Sequence, residues 1–291
     1  MTQAHGIQRG VFFSSAIVLF LLGFFGVVLP TVALTIILAL LVAVVGLPHG
    51  ALDPLVAREA GLWRDARGLA KFLAIYLLLA AIAGLLWVWA PRFSLGAFLA
   101  YSAWHFSGDW RDWLARGWRL CAGVGVISAP SLLHPELVGN YFSVLTGHNM
   151  ESMIRVLQWL AVPALCGTLI SGMLIIRKHP TVAAELAVLA VSALFLPPLV
   201  FFLLYFCGLH SPRHLIDTAK AMKRSTATAT AAGLTLLTVG LGILFFYLLP
   251  TTQADTRFLQ ITFIGLSILT VPHMILVEHY AGKSRTISPP P

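Results

Sequence analysis

Within the stretch YFCGLHSPRHLID (residues 205 to 217), His210 and His214 stand four residues apart, so a helix through both turns the two imidazoles to one face. That spacing lets two ring nitrogens reach one metal ion. The helix must survive Pro212, which it can do if the proline takes the first turn of a restarted helix. His49 in GLPHGALD and His105 in AWHFSGDW would add neutral nitrogen donors from two further helices. An all-imidazole set suits iron, copper or zinc, and the affinity order among divalent metals does not choose between them. Asp53 follows His49 by four residues, about 6 Å along a helix axis. It would either accept the second ring N–H of a ligating histidine or pair with Arg58. Asp109 and Asp217, closer to the ends of their apolar runs, read as interfacial carboxylates. Tyr101, Trp104, Phe106, Phe201, Phe202, Tyr205 and Phe206 surround these histidines in sequence. They would line an apolar tunnel for a long, flat, conjugated substrate, or serve as ordinary core and interfacial aromatics.

The elements that must position these groups are membrane helices. Of the 291 residues 58% are hydrophobic and 10% charged, and the mean hydropathy is +0.88. A soluble domain carries about 25% charged residues, so the composition predicts an all-α, polytopic transmembrane bundle forming a single domain over residues 1–291. Residues 11 to 57 hold two spans turning near Pro30. Further spans fall near 72–91, 93–108, 119–133, 154–176, 182–197, 198–217, 229–249 and 258–279, about ten in all with a range of eight to ten. Residues 134 to 152 read as an interfacial loop. No small-residue cleavage site clearly follows the first apolar run, which therefore reads as a span and not a signal peptide.

The net charge of +8 and pI near 9.8 are distributed as membrane topology requires. With ten spans, both termini fall in the cytoplasm, and every lysine and arginine except Arg92, Arg155 and Arg257 falls on the inner side. If 182–217 were one span, Lys220, Lys223 and Arg224 would lie outside. The same parity brings His49, His105, His210, His214, His273 and His279 to the cytoplasmic end of four outward-to-inward helices. His49, His210 and His273 would sit roughly 15 Å inside the basic boundary. Ionisable groups at such depth mark function by default. His5, His134, His148 and His179 read as solvated loop residues.

Several function classes fit less well. Basic loops without a reading element argue against nucleic acid. A transporter would spread an ionisable relay through the full depth, whereas here the outer half is nearly barren. A b-type cytochrome pairs histidines across facing helices, and a zinc protease needs H-E-x-x-H, which does not occur. A desaturase or hydroxylase is the nearest enzyme alternative, though two irons would ordinarily need more histidines. Cys121, Cys166 and Cys207 are widely spaced inside apolar runs and read as small core residues.

Taken together, GLPHGALD, WHF, YFCGLHSPRH and VPHMILVEH resemble the Brp/Blh family of integral-membrane β-carotene dioxygenases, in the family order from residue 44 to 279. The resemblance implies an enzyme that holds Fe(II) through His49, His105, His210 and His214. It implies cleavage of the central 15,15′ double bond of β-carotene with O₂, giving two retinal molecules. His273 matches the family pattern and would stand beside the cluster, with Asp53 as the partner of a ligand ring. Tyr101, Trp104, Phe106, Phe202, Tyr205 and Phe206 would then contact the polyene. The implied setting is a bacterial inner membrane, with substrate drawn from the bilayer and a rhodopsin as a candidate recipient of the retinal. The family's first segment often begins near GLPHGALD, so residues 1 to about 27 add an N-terminal span.

Overall fold

The computed structural model of the protein describes residues 3–220, 222–250 and 253–278. Lys283 and Arg285, which contribute to the predicted inner charge, and His279 lie outside the described residues. Secondary structure among the described residues is helical throughout. In chain order the α-helices are α1 (Gln3–Phe24), α2 (Thr31–Leu41), α3 (Leu47–Gly50), α4 (Asp53–Glu59), α5 (Ala66–Trp89), α6 (Pro91–Phe106), α7 (Arg116–Ser128) and α8 (Pro130–Leu133). They continue as α9 (Pro135–Thr146), α10 (Glu151–Ile175), α11 (Pro180–Phe195), α12 (Pro198–Tyr205), α13 (Ser211–Lys220), α14 (Arg224–Leu248) and α15 (Ala254–Leu276).

Among the described residues every predicted apolar run is largely helical, and seven helical segments are long and apolar enough to cross a membrane, or eight with the bent pair at Arg116–Leu133 and Pro135–Thr146. The difference from the expected ten has a simple cause. Helices α6 and α11 have 16 residues each. They measure about 24 Å, short of the roughly 30 Å hydrocarbon core. The expected loop at 134–152 is largely the helix α9, because Val138, Phe142 and Leu145 recur at helical spacing and are buried. Gly147 ends it at φ +71°, a left-handed conformation that glycine adopts without a Cβ penalty. Asp65 starts α5 earlier than hydropathy predicts, its carboxylate accepting the Gly68 N–H at 2.7 Å as an N-cap. Of the cysteines, Cys166 is exposed and not in the core.

The chain divides into two compact units, Met1–Leu34 with Pro91–His210, and Thr35–Ala90 with Ser211–Pro291. In the first, α7 packs against α6, α10 and α11. Gly123 of α7 lies so close to the Ala103 carbonyl and the Ser107 N–H of the next segment that a Cβ there would collide with both. That absent side chain sets the seat of His105. In the second unit α5 packs on α15, with Trp87 Nε1 donating to Ser267 Oγ. Helix α14 leaves Leu236, Leu237, Leu241 and Ile243 exposed, the pattern of a face turned to lipid.

Two helical stretches change register next to a histidine. Residues Val42–Gly46 and Phe206–His210 are π-helical. In the first, the Leu47 N–H reaches back five residues to the Val42 carbonyl. Pro48 and Pro212 follow closely, and neither has an N–H to continue an α-helical ladder, so the extra residue lets the helix resume around the proline. The helical segment Pro198–Lys220 thus carries His210 and His214 on successive turns.

Candidate metal centre

In the first unit, His105 lies in the last turn of α6 and His210 ends the π-helical turn. Their ring centroids are 5.1 Å apart with planes at 76°, and a ring nitrogen of each lies within 4.8 Å of the other. Both are buried. His210 Nδ1 stands 3.1 Å from each carboxylate oxygen of Asp109, and Tyr205 Oη donates to Asp109 Oδ2 at 2.7 Å. A carboxylate only accepts, so Nδ1 of His210 carries the proton and Nε2 keeps its lone pair for a metal. Asp109 is 4% exposed, which makes this an internal anchor and corrects its reading as an interfacial carboxylate. The reason is local: α6 stops at Phe106 and a 3-10 turn, Ser107–Trp110, carries Asp109 inward.

Aromatic rings close around His210. Phe106 lies edge-on at 4.7 Å, Phe206 stacks at 5.6 Å and 23°, and Phe202 stacks on Phe206 at 5.1 Å and 13°. The Tyr205 ring meets Phe106 edge-on at 4.9 Å, while its hydroxyl is spent on Asp109. Trp104 faces the Arg116 guanidinium at 4.8 Å, and Tyr101 is half-buried one turn before His105. The expected aromatic set therefore splits into rings stacked about His210 and rings placed elsewhere along α6.

In the second unit, His49 Nδ1 donates to the Gly46 carbonyl at 2.5 Å, which again leaves Nε2 as the free lone pair. The His49 ring lies 6.2 Å from that of His214 and 5.1 Å from that of His273, the latter edge-on at 82°. Asp53 does not serve His49 or Arg58. Its carboxylate takes the His273 Nδ1–H at 2.8 Å and the Tyr76 hydroxyl at 2.8 Å, while Arg58 sits over the Trp63 ring. The four-residue spacing misled because the helix is interrupted: α3 ends at Gly50, and α4 begins anew at Asp53 with Pro54 behind it. At the surface Asp217 pairs with Lys220 at 3.0 Å, as an interfacial carboxylate should.

Asp109 and Tyr76 are the residues that sequence reasoning missed. Tyr76 carries no signal, being one polar atom in an apolar helix. Asp109 did carry one, since HGALD and HFSGD both place an aspartate four residues after a histidine. In each case that aspartate holds the Nδ1–H of a different histidine together with a tyrosine hydroxyl. Three imidazoles, His49, His210 and His273, have Nδ1 tied to a protein oxygen, which leaves Nε2 as the lone pair, and His105 and His214 add further imidazole nitrogens. That set fits a divalent transition metal such as iron, copper or zinc, and not the oxygen-seeking calcium or magnesium.

Residues 40–280 match the protein family described as beta-carotene 15,15'-dioxygenase. The chain is similar to a beta-carotene 15,15'-dioxygenase from uncultured marine bacterium 66A03, 35% identical over 257 residues that cover 82% of this chain and 90% of that protein. No solved structure matches it. On a match that spans all the anchored histidines, the chain belongs to the β-carotene 15,15′-dioxygenase family.

Proposed function

We propose that the protein cleaves the central 15,15′ double bond of β-carotene with O₂, yielding two molecules of retinal, and that one Fe(II) held by His49, His105, His210 and His214 is its cofactor. Family membership supports a carotenoid-cleaving dioxygenase. The observation that carries the metal assignment is the Asp109–His210 hydrogen bond, which holds the ring as carboxylates hold metal-bound histidines. Bound Fe(II) would supply the activation of O₂ that alkene cleavage requires. The chain's own residues do the rest. Asp109 and Tyr205 fix the His210 tautomer, the Gly46 carbonyl fixes that of His49, and Asp53 with His273 stands beside the ligands. Four neutral imidazoles leave the ion's charge at +2, and no side chain is needed as nucleophile or general acid.

The rings of Phe106, Phe202 and Phe206, with Tyr101, Trp104 and the face of Tyr205, would guide the flat polyene and exclude water. β-Carotene is insoluble in water, so an enzyme within the bilayer receives it laterally from the lipid. The basic distribution supports a single transmembrane domain of ten spans, both termini cytoplasmic, with the site toward that face. The proposed setting is the inner membrane, with a rhodopsin as the recipient of the retinal. Reporter fusions after residues 64, 114, 178 and 222 would read cytoplasm, and an external result at 222 would remove this topology. Expression in β-carotene-accumulating bacteria tests the chemistry: orange colour should fade as retinal appears. Fading without retinal, or with cleavage off-centre, would refute it.

A further inference from the structure

The Pro212 ring removes the N–H that an α-helix would aim at the carbonyl four residues earlier, that of Gly208. A donor from outside the helix takes its place. Gln8 of α1 donates Nε2–H to the Gly208 carbonyl at 2.8 Å. Gly208 lies inside the π-helical turn, two residues before His210. Gln8 itself is 6% exposed, and Arg9 and Phe12 of the same helix hold that face in place. Arg9 forms a buried ion pair with Glu185 of α11 at 2.7 Å, donates to Thr181 Oγ1 at 3.1 Å and lies over the Trp113 ring at 5.5 Å. Phe12 is fully buried, and its ring stands 3.7 Å from where a Cβ on Gly208 would be.

A span that served only to anchor the chain would have no use for this. Its remaining face, with Ile7, Val11, Ile17 and Val18, is exposed as lipid contact requires. The segment also lies outside residues 40–280, the part of the chain that matches the family. We infer that α1 is a strut for the histidine-bearing helix, and that Gln8 is a positioning residue for His210. Its amide replaces the N–H missing at Pro212, holds the Phe206–His210 turn in its wide register, and thereby aims the His210 ring. This inference rests on the reading of His210 as a metal ligand.

A double-mutant cycle separates the hydrogen bond from packing. The full-length protein in detergent, stripped of metal, is titrated with Co(II), and the visible absorption band gives both affinity and ligand geometry. His210→Ala should abolish the band; if it binds Co(II) as the native protein does, the metal reading falls and this inference with it. With that control in place, Gln8→Met, which keeps length but cannot donate, should weaken Co(II) binding about tenfold, the lower range for losing an outer partner of a metal ligand, and shift the band. Pro212→Ala returns a backbone N–H to Gly208, so adding Gln8→Met to it should cost less than about twofold. Gln8→Met binding like native protein, or an equal loss in both backgrounds, would overturn the inference. If Gln8→Met protein fails to accumulate, recovery on adding Pro212→Ala supports the strut, and no recovery overturns it.

Discussion

In one unit of the molecule, Asp109 takes the Tyr205 hydroxyl and the His210 Nδ1–H, and His105 stands edge-on to the His210 ring at 5.1 Å. In the other, Asp53 takes the Tyr76 hydroxyl and the His273 Nδ1–H, and His49 stands edge-on to the His273 ring at the same distance. The chemistry is shared, but the connectivity is not. Tyr205 and His210 are five residues apart on one helical segment, so Asp109 joins only that segment to the turn after α6 and sets the direction of one ring. Asp53, Tyr76 and His273 come from α4, α5 and α15, so Asp53 ties three helices together as well as orienting a histidine. One carboxylate is chiefly about the direction of a ring. The other ties a third helix as well.

The largest expected effect concerns the two histidines anchored by carboxylates. His210→Ala should leave protein that holds no iron and makes no retinal. His273→Ala should keep measurable retinal formation at a cost of about 10–100-fold, partly restored by excess Fe(II). Iron content after reconstitution and retinal yield measure both. Equal, complete losses would place His273 among the ligands and erase the distinction between the units.

How much of this the sequence carries depends on whether a signal survives the helix breaks. The histidines at the ends of apolar helices and the H-x-x-x-H spacing depend only on local periodicity, and the structure places His210 and His214 on successive turns as that spacing requires. The partner of Asp53 is not readable from spacing, because its carboxylate meets His273, 220 residues further along the chain. Asp109 was misread because its position depends on a 3-10 turn that hydropathy does not register. Gln8 and Tyr76 act across the fold, far in sequence from the groups they touch, and no spacing rule reaches that distance. Helix α9 was hidden by polar residues around a short apolar stripe.

A smaller effect should come from the two aspartates, and it should differ in kind. Asn keeps the size of Asp but removes the charge that fixes the Nδ1–H tautomer. Asp109→Asn should weaken iron binding by about 10–100-fold and lower the unfolding temperature in detergent by less than Asp53→Asn does. Asp53→Asn should do the reverse, costing about 1–3 kcal/mol of stability through the three helices it joins, while retinal formation remains measurable. If Asp53→Asn is iron-free at saturating Fe(II), Asp53 is itself a ligand and the proposed four-histidine site is wrong.

The tyrosines give the smallest and sharpest test, because Tyr→Phe removes one oxygen and nothing else. Each phenol donates to a carboxylate that still holds its histidine, so the loss is one charge-assisted hydrogen bond out of two. With Asp109 released by Tyr205→Phe, its carboxylate can turn toward His210 alone, and iron affinity should fall by only a few-fold. Tyr205 lies on the same segment as His210, so the Asp109–His210 bond still ties that segment to the turn after α6 and thermal stability should move little. Tyr76→Phe breaks a bond from α5 to the start of α4, so it should lower the unfolding temperature while iron affinity stays within about twofold. Metal titration and thermal unfolding on the same two proteins decide it. If Tyr205→Phe destabilises the fold and Tyr76→Phe weakens the metal, the roles assigned to the two carboxylates are exchanged, and the metal centre belongs with Asp53 and His273.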